Sequence, residues 1–137
     1  MSLLVLDASV TLCWLFEDQA TTATEAILDR LTNEDEAVVA GIWPLEVVNA
    51  IVIAERRKLI RPAQSAAFIE QLAQLSVTID SPAAERIFGG VLETARRYAL
   101  SAYDAEYLEL AVREGLPLAT LDQQLRRAAN TAGVRLI

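Results

Sequence analysis

Short apolar runs alternate along the chain with longer segments in which apolar residues recur at helical spacing. The run Leu3–Leu6 contains no polar residue and predicts a strand that is buried on both faces. Further short strands are predicted at 37–40, 77–79, 116–121 and 134–137. Because strands and helical segments alternate, we expect an α/β fold: one three-layer α/β/α domain over residues 1–137, with a central, mainly parallel, twisted sheet of four to five strands.

Capping residues and prolines indicate where the helices begin. Thr21 or Thr22 can cap a helix that runs through Leu31, and Pro44 suits the first turn of the next helix, where no N–H is needed. Apolar residues surround most of this helix, which begins at Trp43, so we expect it to be mostly buried. Other helical segments are predicted at 10–16, 62–75, 82–98, 103–114 and 123–132, and Gly89-Gly90 allow a break in the third of these.

Acidic residues follow the predicted strands at the sheet edge where ligands bind in open α/β folds. Asp7 and Asp122 each come directly after a buried strand, and Glu46 lies in the first turn of the helix after the second strand. Asp104 begins a later helix, so its position at this edge depends on how that helix enters the sheet. Carboxylates that gather at one place repel one another, and such clusters persist where a divalent cation binds them.

Each of these acids also has a purely structural interpretation. Glu46 and Asp104 could interact with helix dipoles, and Asp122 could cap the last helix. Asp7 is harder to explain in this way, because a buried carboxylate is costly and Ser or Thr would cap a helix at lower cost. Taken together, the four acids favour a cation site, and oxygen ligands without histidine favour Mg²⁺ or Mn²⁺ over zinc.

The composition narrows the possible chemistry. The absence of histidine excludes serine–histidine triads, paired-histidine ribonuclease chemistry and histidine metal sites. The single cysteine, Cys13, excludes a disulfide framework and fits a reducing cytoplasm. The net charge of −7 argues against a non-specific nucleic-acid binder, unless a bound cation offsets several acids. The apolar run from Leu3 to Phe16 is too short to cross a membrane and contains Asp7, so we expect neither a membrane segment nor a signal peptide.

Four motifs together resemble the PIN-domain family, and in particular the VapC ribonuclease toxins of bacterial and archaeal toxin–antitoxin pairs. These motifs are VLDAS at 5–9, WPLEVVNA at 43–50, SAYDAEYLELA at 101–111 and LATLD at 118–122. Each motif alone is weak, but the four in this order and at this spacing are specific. The resemblance covers essentially the whole chain.

The resemblance implies both site residues and their roles. The implied catalytic and metal-binding residues are Asp7, Glu46, Asp104 and Asp122. Among them, Asp7 and Asp104 are the first choices as direct metal ligands, and the hydroxyls of Ser9 and Thr120 are expected to support the site. Asn49, three residues after Glu46 on the same helix face, is expected either to orient a ligand or contact substrate, or to be an ordinary surface amide.

The activity implied by the resemblance is Mg²⁺- or Mn²⁺-dependent hydrolysis of RNA, leaving a 5′-phosphate and a 3′-hydroxyl. Either Glu46 or Asp122 would accept the proton of the attacking water. The implied partners are an RNA substrate, an inhibitory VapB-like antitoxin and a second copy of the chain in a homodimer. An apolar content of 53% suits such buried surfaces. We expect the protein to act in the cytoplasm, without contact with a membrane.

Two other functions remain open. The segment 7–11, Asp-Ala-Ser-Val-Thr, partly resembles the Asp-x-Asp-x-Thr motif of haloacid-dehalogenase-like phosphotransfer enzymes, although Ser9 replaces the second acid. A non-catalytic binding module could use the acids only as helix caps. No glycine-rich loop follows the first strand, so nucleotide binding is not indicated.

The remaining charged and aromatic residues are interpreted as structural. Glu106 and Glu109 are expected at the surface, two and five residues after Asp104. The residues expected to pack in the core are Trp14, Phe16, Trp43 and Tyr107, although the first two could instead line a groove for a partner. The basic residues between Arg56 and Arg61 are interpreted as solvated, although they lie near enough to Glu46 to steer an RNA backbone.

Overall fold

A computed structural model describes residues 2–137, which fold around a four-stranded parallel sheet. The strands are β1 (Leu3–Leu6), β2 (Glu36–Val39), β3 (Val77–Ile79) and β4 (Leu118–Ala119). They are arranged in the order β3-β2-β1-β4, so that β1 pairs with a strand on each side. Leu4, Val5 and Leu6 are fully buried, as expected for a central strand between two helical layers. The predicted α/β class is confirmed.

The helices follow the predicted alternation with the strands. They are α1 (Ala8–Leu12), a 3₁₀ turn (Glu17–Gln19), α2 (Thr22–Asn33), α3 (Trp43–Arg56), α4 (Pro62–Ala73), α5 (Ala84–Arg86), a π-helical turn (Ile87–Val91), α6 (Leu92–Tyr98), α7 (Ala102–Glu114) and α8 (Gln123–Ala132). Gly115 and Gly133 end α7 and α8 in the left-handed conformation, which glycine adopts without strain. Gly89-Gly90 lie in the π-helical turn, which joins α5 to α6 without a break. No helix within residues 2–137 is long and apolar enough to span a membrane.

The last two predicted strands are shorter than expected. The run 116–121 forms a strand only at Leu118–Ala119, and 134–137 contributes an isolated parallel bridge between Leu136 and Leu118. The N–H of Leu116 still bonds back to the end of α7, which delays the start of β4. Ala119 pairs with Leu6, the last residue of β1, so β4 has no partner strand beyond that point.

Helix α3 is less buried than its composition predicts. Trp43, Val47 and Ile51 form a buried stripe, but Leu45 is 66% exposed and Val48 49% exposed. The expectation that apolar residues around most of the helix would be buried is therefore wrong, because α1 packs against one side of it and the opposite side is exposed. The uncovered side of α3 borders the cavities described next.

Candidate active site

One cavity at the carboxyl-terminal edge of the sheet brings together the four acids singled out in the sequence. It is lined by Asp7 at the end of β1, Glu46 in the first turn of α3, Asp104 in the first turn of α7 and Asp122 at the start of α8. Ser9 and Asn49 line the same cavity, whose volume is about 390 Å³. The uncertainty about Asp104 is resolved, because α7 begins at the same edge at which β1 ends.

Asp7 is held in place by two neighbouring hydroxyl groups. It is only 5% exposed, and its Oδ2 accepts hydrogen bonds from Ser9 Oγ at 2.8 Å and Thr120 Oγ1 at 2.6 Å. Burial raises the pKa of the Asp7 carboxyl above its ordinary value, against the opposing effect of these hydroxyls and of nearby backbone N–H groups. The two hydroxyls therefore help to keep a buried carboxylate charged and limit its rotation.

The same hydroxyls fasten the segment after β4 to the end of β1. The backbone N–H of Leu121 donates to Ser9 Oγ at 3.0 Å, and that of Asp122 donates to Thr120 Oγ1 at 3.1 Å. Each hydroxyl thus accepts from the 120–122 backbone while it donates to Asp7. This arrangement sets the position of Asp122 relative to Asp7; the supporting role of Ser9 and Thr120 in catalysis stays a prediction.

A second chain of hydrogen bonds connects α3 to the backbone of Asp7. Trp43 Nε1 donates to Thr11 Oγ1 at 3.0 Å, and Thr11 Oγ1 donates to the Asp7 carbonyl oxygen at 3.2 Å. Trp43 is buried, as the sequence predicted, and Thr11 is buried as well. The two residues therefore hold the beginning of α3, which carries Glu46, against the turn that carries Asp7.

Glu46 is paired with a buried tyrosine that the sequence analysis assigned only to the core. Tyr107 is fully buried on α7, and its hydroxyl donates to Glu46 Oε1 at 2.6 Å. Burial and this hydrogen bond raise the pKa of Tyr107 far above its ordinary value, so the phenol stays neutral and donates. Burial, followed by the charges of Asp7 and Asp104, raises the pKa of Glu46, whereas the tyrosine opposes that rise. The only signal in the sequence was a tyrosine three residues after Asp104.

Asp104 and Asp122 each combine a position in the cavity with a position at a helix start. The N–H of Asp104 donates to Ser101 Oγ, which caps α7, and the Ser101 hydroxyl acts to lower the pKa of the Asp104 carboxyl. Burial raises the pKa of Asp104, and the negative charges of Asp122 and Asp7 add to the rise. Asp122 Oδ2 accepts from the Leu125 N–H at 2.8 Å and caps α8. The capping role considered for Asp122 is therefore real, and it exists alongside the position in the cavity.

The surface role expected for Glu106 and Glu109 is wrong. Glu106 Oε1 accepts a hydrogen bond from the Ile42 N–H at 3.2 Å and so satisfies the start of α3, which has no capping side chain of its own. Glu109 accepts from Arg113 at 2.9 Å and lies 3.8 Å from Arg86. The Glu109–Arg113 pair has the i,i+4 spacing of one helix, whereas the contacts of Glu106 with Ile42 and of Glu109 with Arg86 depend on how α7 packs against other elements.

The oxygen atoms that line the cavity suit a hard divalent cation, although they are not arranged in a complete coordination shell. Within residues 2–137, no group of three or more acidic or cysteine side chains is arranged so that it could hold a metal ion as it stands. The four acids offer only oxygen atoms, which Mg²⁺ and Mn²⁺ prefer. Burial raises the pKa of Asp7, and burial together with the charges of neighbouring acids raises the pKa values of Glu46 and Asp104; a bound cation would oppose all three shifts. The ligand types of these residues therefore suit such an ion.

Comparison with known families and curated proteins gives consistent matches along most of the chain. The PIN domain model matches residues 4–131. A curated protein from Pyrobaculum aerophilum, Ribonuclease VapC3, is 26% identical over 123 residues, which cover 89% of this chain and 91% of the relative.

Solved structures share the fold at low sequence identity. PAE2754 from Pyrobaculum aerophilum gives a TM-score of 0.66 at 23% identity and covers 99% of this chain and 92% of its own. VapBC2 from Rickettsia felis, bound to a DNA fragment from its promoter, gives 0.68 at 14% identity, with 100% and 98% covered. FitAcB from Neisseria gonorrhoeae gives 0.64 at 18% identity, with 100% and 96% covered.

Proposed function

This chain belongs to the PIN domain family, and we propose that it is a divalent-metal-dependent endoribonuclease acting as the toxin of a toxin–antitoxin pair. The observation that carries the proposal is the cavity in which four carboxylates from four separate elements meet. The similarity to a protein named Ribonuclease VapC3 supports RNA as the substrate.

The four acids would have different tasks. Asp7 and Asp104 would hold Mg²⁺ or Mn²⁺, since Asp7 is fixed by two hydroxyls and the Asp104 carboxylate is not used as a cap. When bound, the cation supplies Lewis-acid polarisation and charge neutralisation at the scissile phosphate. Glu46 and Asp122 would complete the ligand set, and Ser9 and Thr120 would keep the Asp7 carboxylate in its orientation.

One of the acids would accept the proton of the attacking water, so that hydrolysis leaves a 5′-phosphate and a 3′-hydroxyl. Glu46 is favoured for this role, because burial raises its pKa towards neutral pH, where a general base is most effective. Asp122 already uses one carboxylate oxygen to cap α8. Asn49, on the rim of the cavity, would contact the substrate.

The proposed protein partners are an inhibitory VapB-like antitoxin and a second copy of the chain. The VapBC2 complex, which shares this fold, supports the first. Large apolar side chains exposed along α3 and α4, Leu45, Val48, Ile53 and Ile69, provide surface for such contacts. We propose the cytoplasm as the place of action, since RNA substrates and an antitoxin would be met there.

The experiment is an RNA cleavage assay on the purified chain, alone and with its antitoxin, in Mg²⁺, in Mn²⁺ and in EDTA. We expect cleavage only with metal and without antitoxin, and a loss of cleavage in Asp7→Asn. Asp29→Asn, which removes an exposed acid on α2 outside the cavity, is the matched control and should cleave as the wild type does. Cleavage that persists in EDTA or in Asp7→Asn would refute the mechanism.

A further inference from the structure

A second, smaller cavity lies beside the one lined by the acids. Its volume is about 240 Å³, and its lining residues are Ile42, Leu45, Glu46, Asn49 and Tyr103. Glu46 and Asn49 line both cavities, so the two share a wall formed by α3. A group bound in the small cavity would therefore lie directly next to whatever the acids hold.

The small cavity has one aromatic wall and one aliphatic wall, and both are open to solvent. Tyr103, in the first turn of α7, is 60% exposed, and Leu45, on α3, is 66% exposed. Tyr103 immediately precedes Asp104, and adjacent helical residues point in different directions, so one lines the small cavity and the other the acid-lined cavity. A flat apolar group could be covered by these two side chains.

Asn49 adds a polar group at the boundary between the cavities. It lies four residues after Leu45 and three after Glu46, on the same face of α3. Its side chain is exposed, and an amide offers both a hydrogen-bond donor and an acceptor. The small cavity thus combines surfaces for stacking with one group able to contact a polar edge.

We propose that the small cavity binds an unpaired nucleobase of single-stranded RNA, adjacent to the phosphate at the acids. The proposal rests on the ribonuclease function proposed above. Unstacked RNA bases bind aromatic side chains through their faces and polar side chains through their edges. A neutral base is also compatible with this position, because the Glu46 carboxylate that lines the small cavity does not repel an uncharged group. Tyr103 stacks on the base, Leu45 covers its other side and Asn49 meets its edge.

Binding of RNA can be measured without cleavage. The probe is a short fluorescein-labelled single-stranded oligoribonucleotide, and the protein carries Asp7→Asn to prevent hydrolysis. Because stacking on an aromatic residue contributes about 1–3 kcal/mol per base, Tyr103→Ala is expected to weaken binding between about 5-fold and 150-fold. Tyr103→Phe retains the ring and should recover most of the affinity. Phe88→Ala removes a 75% exposed aromatic residue outside both cavities and is the matched control, with unchanged affinity expected.

Cleavage assays locate the bound base. In a series of RNAs with single abasic sites, the wild type is expected to lose kcat/KM at one position beside the cut, and Tyr103→Ala to lose that dependence. If the wild type cleaves no RNA, the proposed function fails, whereas the binding measurement still tests the small cavity. If RNA affinity is the same in Tyr103→Ala and the wild type, the nucleobase proposal is overturned, while the proposed ribonuclease function is unaffected. If Tyr103→Ala weakens the binding of a protein partner and leaves the RNA affinity unchanged, the proposal is overturned as well, and the cavity is assigned to a protein interface.

Discussion

Helix α7 contributes to two groups of acidic side chains whose charges are compensated in different ways. Glu109, near its end, and Asp80, after β3, both form ion pairs with Arg86 and Arg113. Asp104, near its beginning, lies in the cavity with three other acids. Within residues 2–137, no lysine or arginine forms an ion pair with any of those four.

The difference between the two groups indicates which acids serve the fold. Glu109 and Asp80 are neutralised by the chain itself, as structural acids usually are. The acids of the cavity receive hydrogen bonds only from neutral groups, such as the hydroxyls of Ser9, Thr120 and Tyr107. Neutral donors orient a carboxylate and leave its charge in place. A cation from solution could then compensate these charges, as the proposed metal-dependent function requires.

The largest expected effect is a difference in RNA cleavage between substitutions of Asp104 and Glu109, two acids of α7. Asp104→Asn is expected to lower RNA cleavage by more than about 100-fold, because loss of a direct ligand should exceed the effect of losing a residue behind one. Glu109→Gln should cleave as the wild type does but unfold at a lower temperature, since it leaves Arg113 and Arg86 with fewer partners. Cleavage rates and thermal melts on both variants test the contrast. Similar cleavage defects in Asp104→Asn and Glu109→Gln would contradict the distinction between functional and structural acids.

Tyr107→Phe tests whether a neutral donor can matter for activity. Because the phenol lowers the pKa of Glu46, its removal should raise that pKa, and the acidic limb of the kcat/KM profile should move to higher pH. Loss of a group that orients a ligand costs about 10-fold to 100-fold in activity. Tyr98→Phe, in which the ring that lies beside Arg97 is kept, is the control. A profile that falls in height without moving along the pH axis would assign Tyr107 a packing role only.

Stability should depend on pH in a way that reflects the uncompensated acids. Asp7, Glu46 and Asp104 have folded pKa values above their ordinary ones, so the folded state binds more protons than the unfolded state between the two values. In EDTA, their contribution to the free energy of unfolding should therefore fall as pH rises through this window. Asp104→Asn should melt at a higher temperature than the wild type at neutral pH, and the gap should close in acid.

Added Mg²⁺ provides the second arm of that measurement. We expect Mg²⁺ to raise the melting temperature of the wild type at neutral pH, by less as pH falls, because protons compete for the same oxygens. In Asp104→Asn this increase should be much smaller. If Mg²⁺ has no effect on the wild type, the metal-dependent proposal fails and the non-catalytic binding module is favoured.

The smallest effect is expected in the ion-paired group. Arg113→Gln removes contacts with Asp80, Glu109 and Glu114, and partly exposed ion pairs contribute about 1 kcal/mol or less. Chemical denaturation should show a loss of that order, while the Mg²⁺-induced rise in melting temperature stays at the wild-type value. A changed response to Mg²⁺ would mean that the two groups on α7 are coupled.

Much of the fold could be predicted because it depends on local patterns. Uninterrupted apolar runs identified β1 and β2, and Pro44 and Gly115 marked the beginning of α3 and the end of α7. The resemblance to the PIN-domain family is confirmed by the match over residues 4–131. The strand ends at 116–121 and 134–137 were wrong, because pairing there depends on neighbouring elements more than on the residues themselves.

The sequence predicted the four acids of the candidate site, but it did not reveal all of the groups that hold them in position. Asp7, Glu46 and Asp122 could be placed together because they lie at one edge of a parallel sheet. Their roles as metal ligands remain predictions. The contacts of Tyr107 with Glu46 and of Glu106 with Ile42 join residues 61 and 64 positions apart, and they depend on how α7 meets α3. No periodicity within either helix contains that information.

The hydroxyl bridge between Asp7 and Thr120 joins residues that are 113 positions apart. On a ribosome, the first carboxylate is therefore made long before the segment that orients it and before Asp122. A chain interrupted anywhere before residue 118 lacks both hydroxyl-bonded backbone groups and one of the four acids. Assembly of the site is therefore delayed until nearly all of the described chain has been translated, so an unfinished copy cannot bring the four acids together.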